Sequence, residues 1–377
     1  TLKPFLVLEA LGAGHTLASV LDDVPLRVAA DPGTYEPVNY SRVFRGPVRL
    51  RLALASSLNV PAVRLLDDVG IDRVLALLRN IGFEGLREGG AHYGLGLALG
   101  NPEVALDALA SAYGVLARGG TWLPARLVRR VRGADGRVHD VPAPPSRAIA
   151  PAARAALVTD ALADAQARAP EFGQASALNL PFRVAVKTGT SADYRDNLAL
   201  GYTPDVVVGV RLGRTDHDPL PGVPGALGAG PLLRQVLMAI YEDDPPAWPP
   251  PPALERARIC TLSGRLAGPD CPGAGDEIFE PGSAPTEPCP WHKRVRVHGP
   301  SGLLAGPTCP TREVEERVFL DLPDELRPWA SRAGLPLLPS ETAPCGETLG
   351  DAGDPRPRDT ILRIRHTLVA ACRGFLD

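Results

Sequence analysis

Between Asp243 and Pro252 the chain reads Asp-Asp-Pro-Pro-Ala-Trp-Pro-Pro-Pro-Pro, and no helix or central strand can run through such a segment. Each proline fixes φ and removes a backbone donor, so the run takes extended polyproline geometry. The chain is thereby divided into residues 1–242, a Pro-rich linker over 243–258, a Cys-containing region over 259–345 and a short remnant of a further small domain over 346–377. Before the linker, apolar residues recur with helical spacing over 47–57, 60–69, 71–81, 103–118, 151–166 and 230–242, with Pro and Gly at the ends. Short β-branched runs over 182–190, 197–202 and 205–212 read as strands, and Thr203-Pro204 joins the last two tightly. Helices, then consecutive strands, then a closing helix is an α+β pattern, with helices packed on an antiparallel sheet. After the linker the pattern is mostly irregular, with one strand over 313–320 and one helix over 325–333. No internal repeat is visible.

Hydrophobic residues at 45%, charged residues at 22% and a net charge of −3 describe a globular chain. They give no electrostatic reason to expect nucleic acid or an anionic membrane surface as a partner. No apolar run is long enough to span a bilayer. All six cysteines lie beyond residue 259, in a Pro- and Gly-rich region with little core, which favours disulfide staples formed in an oxidising compartment. Zinc is the rival: Cys289-Pro-Trp-His292 has ligand spacing, but no second closely spaced pair accompanies it. No metal and no cofactor is therefore expected.

Only three of forty basic residues are lysines: Lys3, Lys187 and Lys293. A chain that writes nearly every cation as Arg raises the question of which sites need an amine able to lose its proton. Lys187-Thr188-Gly189, followed by Thr190, ends the predicted strand over 182–190. Lys187 and Thr190 are expected on one side of it, with Gly189 clearing room for a substrate backbone, so an edge strand here can hold an extended peptide. Ser57-Leu58-Asn59 sits at a corner between two predicted helices, where both polar residues could simply be caps. Lys3 matches the lysine of a Ser-x-x-Lys pair, in which the amine is the base for a hydroxyl one helical turn away.

In the order Lys3, Ser57-x-Asn59, Lys187-Thr-Gly these motifs form the set used by penicillin-reactive serine acyltransferases. Thr1-Leu-Lys-Pro-Phe, Asn39-Tyr40, Phe44-Arg-Gly-Pro-Val, Ser57-Leu-Asn-Val-Pro-Ala, Tyr93-Gly-Leu-Gly-Leu-Ala-Leu-Gly and Lys187-Thr-Gly-Thr-Ser resemble the transpeptidase domain of class A penicillin-binding proteins. The resemblance runs from Thr1 to about Glu242 and continues less specifically to His292. It implies a D-Ala-D-Ala transpeptidase that cross-links peptidoglycan stem peptides through a serine acyl-enzyme and is acylated by β-lactams. Lys3 would be the base, Ser57 would relay a proton, Asn59 would hold the substrate amide, and Lys187, Thr188 and Thr190 would bind the terminal carboxylate. The Thr190 N–H would form half of an oxyanion hole.

The family's nucleophile stands three residues before Lys3, outside this sequence, and Ser57 cannot replace it because no Lys follows three residues on. The resemblance further implies a fragment of a bifunctional glycosyltransferase and transpeptidase, anchored outside this sequence at the periplasmic face of the inner membrane. On that reading the polypeptide alone is inactive and exposes a sheet edge. The alternatives are a D,D-carboxypeptidase or β-lactamase-like hydrolase, in which water replaces the acceptor amine, and a non-catalytic cell-wall binding module.

Overall fold

The computed structural model describes residues 1–29, 33–191, 194–216, 218–220, 222–242, 245–250 and 252–345. The expected remnant over 346–377, with Cys372, lies outside the described residues. The chain forms two compact units, one of Thr1–Arg294 with Val318–Leu338, the other of Val295–Arg317 with the stretch from Pro339.

Helix α1, Lys3–Gly12, is apolar on nearly every face, and Phe5, Leu6, Val7, Leu8, Ala10 and Leu11 are all buried. A helix of that composition belongs in the middle of a core, and it contacts the larger cluster throughout. Pro4 fits its first turn, where the missing N–H costs nothing. Strand β1, Val20–Asp23, pairs antiparallel with β2, Gly46–Arg49. The helix expected over 47–57 is thus shortened to α2, Leu50–Ala55. Pro47 has no donor to give a helix, yet it fits a two-stranded ladder opposite Asp22.

Next come α3, Asn59–Val69, α4, Ile71–Asn80, and α5, Leu106–Ala117. The helix expected over 151–166 is two helices, α6, Ala152–Ala163, and α7, Ala165–Phe172. Asp164 takes an extended backbone between them, and its carboxylate accepts the Ala167 N–H, so it caps a new helix instead of continuing the old one.

The three predicted strands form one antiparallel sheet, β3, Ala185–Thr190, β4, Asp196–Tyr202, and β5, Val207–Gly213, with β4 in the centre. Among the described residues β3 is an edge of that sheet. Ala185, Leu200 and Tyr202 join the large helical core. Val184, Val186, Ala199 and Val210 pack on the other face with Leu233 and Leu237 of α8, Ala229–Ile240. Helices on both faces explain why these strands are nearly continuous apolar runs.

The Pro-rich segment is packed against the domain. Trp248 sets its ring edge-on to Tyr202, with centroids 6.1 Å apart, and its Nε1–H donates to the Arg183 carbonyl at 3.2 Å. Strand β6, Glu255–Cys260, begins inside the expected linker and pairs with β7, Ala274–Phe279. Glu277 of β7 is buried and accepts hydrogen bonds from Arg49 at 3.0 Å and Arg51 at 2.6 Å, while Arg51 also reaches Asp160 and Asp164. Gly46 lies under Trp329 of a short helix α9, Arg327–Arg332; a Cβ there would stand 2.3 Å from the ring.

The region after the linker holds more regular structure than its pattern predicts, since β8, His292–His298, pairs with β9, Val314–Leu320. It also contains a repeat that the sequence reading missed. Ser263-Gly264, Leu266-Ala267-Gly268-Pro269 and Cys271-Pro272 recur as Ser301-Gly302, Leu304-Ala305-Gly306-Pro307 and Cys309-Pro310. The backbone repeats with them. Cys260 N–H donates to Arg265 O and Ala267 N–H to Arg258 O, as His298 does to Leu303 and Ala305 to Arg296. Leu266 exchanges bonds with Glu287 and Cys289, as Leu304 does with Glu341 and Ala343. Among the described residues one of the expected disulfides is formed, Cys309–Cys345. Cys260, Cys271 and Cys289 are free thiols, which corrects the expectation of staples there.

Candidate active site

The Lys3, Ser57-x-Asn59 and Lys187-Thr-Gly segments, far apart in sequence, meet at one point. Lys3 leaves the first turn of α1 and is buried, with Nζ 2.6 Å from the Ser57 carbonyl, 2.6 Å from Asn59 Oδ1 and 3.4 Å from Ser57 Oγ. Lys187, on the edge strand β3, donates to Ser57 Oγ at 2.6 Å and to the Thr188 carbonyl at 2.8 Å. A single hydroxyl therefore stands between two amines.

The corner between α2 and α3 is built to aim that hydroxyl. Ser57 has φ +57°, a left-handed conformation that costs a non-glycine residue roughly 1 kcal/mol. It is held there by the Leu58 N–H on the Ala53 carbonyl at 2.9 Å and by Lys3 on its own carbonyl. Ser57 and Asn59 are not helix caps, so their side chains are free for the site. The exposed N–H groups at the start of α3 go instead to Asn39, whose Oδ1 accepts from Asn59 at 2.8 Å. Asn39 is in turn fixed by Asp23, with 2.8 Å to each carboxylate oxygen, and by the Val43 carbonyl at 2.9 Å. Burial pushes the Asp23 carboxyl up, against the hydrogen bonds from Asn39 and Arg45. Asn39 and Asp23 were not among the candidates, and a buried polar pair sixteen positions apart leaves no local pattern to find.

Burial strips water from both lysines. It holds Lys3 well below the usual lysine range, with the charge of Lys187 adding to the effect and that of Glu171 opposing it. Burial alone brings Lys187 down to about 7. Among the described residues neither amine is ion-paired to a carboxylate. The site therefore offers one amine that gives up its proton far more readily than an ordinary lysine, a second amine that titrates at about 7 and, among the described residues, no ion-paired carboxylate.

Lys187 and Gly189 share one face of β3, and Thr188 and Thr190 the other, as a strand's period of two requires. The expectation that Lys187 and Thr190 leave the same side was an error of register. Thr190 Oγ1 accepts the Gly225 N–H at 3.0 Å. Gly189 makes room, as expected, but for the chain's own Thr1: a Cβ would stand 2.8 Å from Thr1 Cγ2 and 3.3 Å from its nitrogen. The Thr1 carbonyl accepts from the buried Tyr113 hydroxyl at 2.7 Å, a contact with no sequence signal.

Two family models match the chain: the penicillin binding protein transpeptidase domain over residues 1–209, and the penicillin-binding protein 1A C-terminal domain over 250–294. Penicillin-binding protein 1C of Escherichia coli (strain K12) is 35% identical over 270 residues, covering 70% of this chain and 32% of that protein. Penicillin-binding protein 1A of Aquifex aeolicus is 34% identical over 215 residues, 56% of this chain and 28% of its own length. The chain thus spans about a third of the length of the curated relatives it matches. The crystal structure of penicillin-binding protein 1A from Haemophilus influenzae has the same fold, with a TM-score of 0.65 at 22% identity over 76% of this chain and 48% of that one. PonA1 of Mycobacterium tuberculosis in complex with penicillin V superposes with a TM-score of 0.57 at 25% identity, covering 67% and 71% of the two chains. No helix of the described residues is long and apolar enough to cross a membrane.

Proposed function

This chain belongs to the penicillin-binding protein transpeptidase family, and on that premise we propose that it supplies the acyl-transfer site of a D-Ala-D-Ala transpeptidase acting on peptidoglycan stem peptides. The observation that carries the reading is the convergence of Lys3 and Lys187 on Ser57 Oγ. In the family the nucleophile stands three residues before the lysine that Lys3 matches. A serine joined to the Thr1 nitrogen would occupy that place, one helical turn from Lys3.

Lys3, whose hold on a proton is weakened by burial, takes the serine proton as the hydroxyl attacks the carbonyl of the penultimate D-Ala. The C–N bond to the last D-Ala then breaks, and its nitrogen receives a proton through Ser57, which Lys187 and Lys3 both face. An amine of a neighbouring stem peptide attacks the acyl-serine, forming the cross-link and freeing the serine. Asn59 holds the substrate amide, and the Thr190 N–H stabilises the developing oxyanion. The Thr188 and Thr190 hydroxyls, on one face of β3, are proposed to bind the terminal carboxylate at the strand's edge, and Lys187, on the face toward Ser57, lends its charge from the other side of that edge. Thr190 already accepts a bond from Gly225, so its own proton is available to an anion. β-Lactams carry the same carboxylate beside a strained amide and are proposed to acylate the same serine.

A periplasmic setting and a glycosyltransferase partner domain in the whole protein are part of the same proposal. A wall-binding module without chemistry has no use for two amines desolvated against one hydroxyl. The test is labelling by a fluorescent penicillin of the polypeptide with its serine joined to Thr1. Label is expected on that serine, with Lys187→Ala slowing the reaction at least tenfold and Lys3→Arg abolishing it. Label on Ser57, or unchanged labelling of the Lys3 variant, would overturn the mechanism.

A further inference from the structure

We propose that Cys260, Cys271, Cys289 and His292 form a structural zinc site that ties the end of the β6–β7 hairpin. The four ligand atoms lie within 4.8 Å of one another. His292 Nδ1 is 3.3 Å from Cys289 Sγ and 3.6 Å from Cys260 Sγ. A tetrahedral zinc with ordinary Zn–S and Zn–N lengths sets sulfur and nitrogen about 3.6 Å apart and two sulfurs about 3.8 Å apart. The two printed sulfur–nitrogen pairs already stand near that spacing, and the widest pair closes by about 1 Å to bring all four atoms onto one ion.

Only Cys289 and His292 are close in sequence, and the missing second pair is supplied by the fold. Cys260 is the last residue of β6, and Cys271 is carried back to it by the turn that the Leu266 bonds to Glu287 and Cys289 hold in place. Gly268 N–H points at Cys271 Sγ at 3.4 Å, a backbone contact of the kind that orients a zinc ligand.

The repeat separates this site from a disulfide. Cys271 corresponds to Cys309 of the second copy, which is bonded to Cys345. By the shared pairing of Leu266 with Cys289 and Leu304 with Ala343, the position of Cys345 falls on Trp291 in the first copy. The disulfide partner is therefore absent there, and Cys260, Cys289 and His292 surround Cys271 in its stead. With three thiolates and one imidazole the coordination is closed, so the ion is structural. Its binding releases up to three thiol protons. The site lies on the hairpin that delivers Glu277 to Arg51, so it braces the element on which α2 rests.

The experiment is elemental analysis of the full chain, purified without chelator, combined with peptide mapping of alkylated thiols under non-reducing conditions. One zinc per chain is expected, with Cys260, Cys271 and Cys289 blocked from alkylation until a chelator is added and then all reactive. Cys271→Ala should lower zinc occupancy at least tenfold, and Cys271→His, which can ligate zinc but cannot form a disulfide, should restore it. Two of these cysteines recovered as a disulfide-linked peptide would overturn the proposal. So would three reactive thiols with less than a tenth of an equivalent of zinc, or a Cys271→His chain that binds none.

Discussion

Lys187 Nζ and Ser57 Oγ lie 2.6 Å apart, joining an edge strand to a helix corner one hundred and thirty residues away. The contact sets a compact, titratable amine against a single hydroxyl, a role a permanently charged guanidinium does not fill. In a chain that otherwise uses arginine, this gives Lys187 its reason, as Lys3 has one in its need to be an uncharged base.

Burial of Lys187 makes stability depend on pH. Its affinity for protons falls from the ordinary 10.5 to about 7 in the folded protein, so between those values the unfolded chain binds the extra proton. Stability should therefore rise with pH across that window, by about 1.4 kcal/mol per pH unit for this one group. Urea unfolding at several pH values should show Lys187→Met losing that part of the slope, and a slope identical to the parent's would refute the assignment.

Replacing Lys3 by Met keeps the buried stem and removes an amine crowded by Lys187. With the serine joined to Thr1, the variant should stay folded but lose about 1–3 kcal/mol, since the Ser57 carbonyl and Asn59 Oδ1 lose their donor, and it should react with penicillin about 10²- to 10⁴-fold more slowly, as loss of a general base requires. A variant that is both slow and unfolded would show only a structural role.

At Gly189 an added methyl meets Thr1 Cγ2 at 2.8 Å. Gly189→Ala should cost about 1–3 kcal/mol by displacing the start of α1. Gly85, with nothing within 4 Å of its built Cβ, is the control, and Gly85→Ala should leave the thermal midpoint unchanged.

Glu277 is the buried acceptor for Arg49 and Arg51. Glu277→Leu should destabilise the first unit by about 3–5 kcal/mol, since it strands buried guanidinium charge. The double change with Arg51→Met should be milder than the sum, and strict additivity in chemical denaturation would mean that the pair is not coupled.

The motifs that carry charge were legible: Lys3, Ser57-Leu-Asn59 and Lys187-Thr-Gly each have a fixed local spelling, and the strands around Lys187 are apolar runs of distinct length. Asn39 was legible only as part of the resemblance, with no role, and Asp23 not at all, because a side chain that caps a helix from another segment obeys no spacing rule. The strand Gly46–Arg49 was read as helix since four residues are too few to show alternation. The duplicated Ser-Gly, Leu-Ala-Gly-Pro and Cys-Pro elements went unseen because, beyond the matched Cys271 and Cys309, the other cysteines of the two copies have no cysteine counterpart: Cys260 answers to His298, Cys289 to Ala343 and Cys345 to Trp291.

The hold of Glu277 on Arg51, with Trp329 seated on Gly46, bears on how such chains can change over generations. A recombination event that swapped the segment after the prolines for a relative's would cross no bond of the acyl-transfer site. It would nevertheless replace the acid that sits beneath α2, so the two portions must descend together or be refitted at Arg49, Arg51 and Gly46.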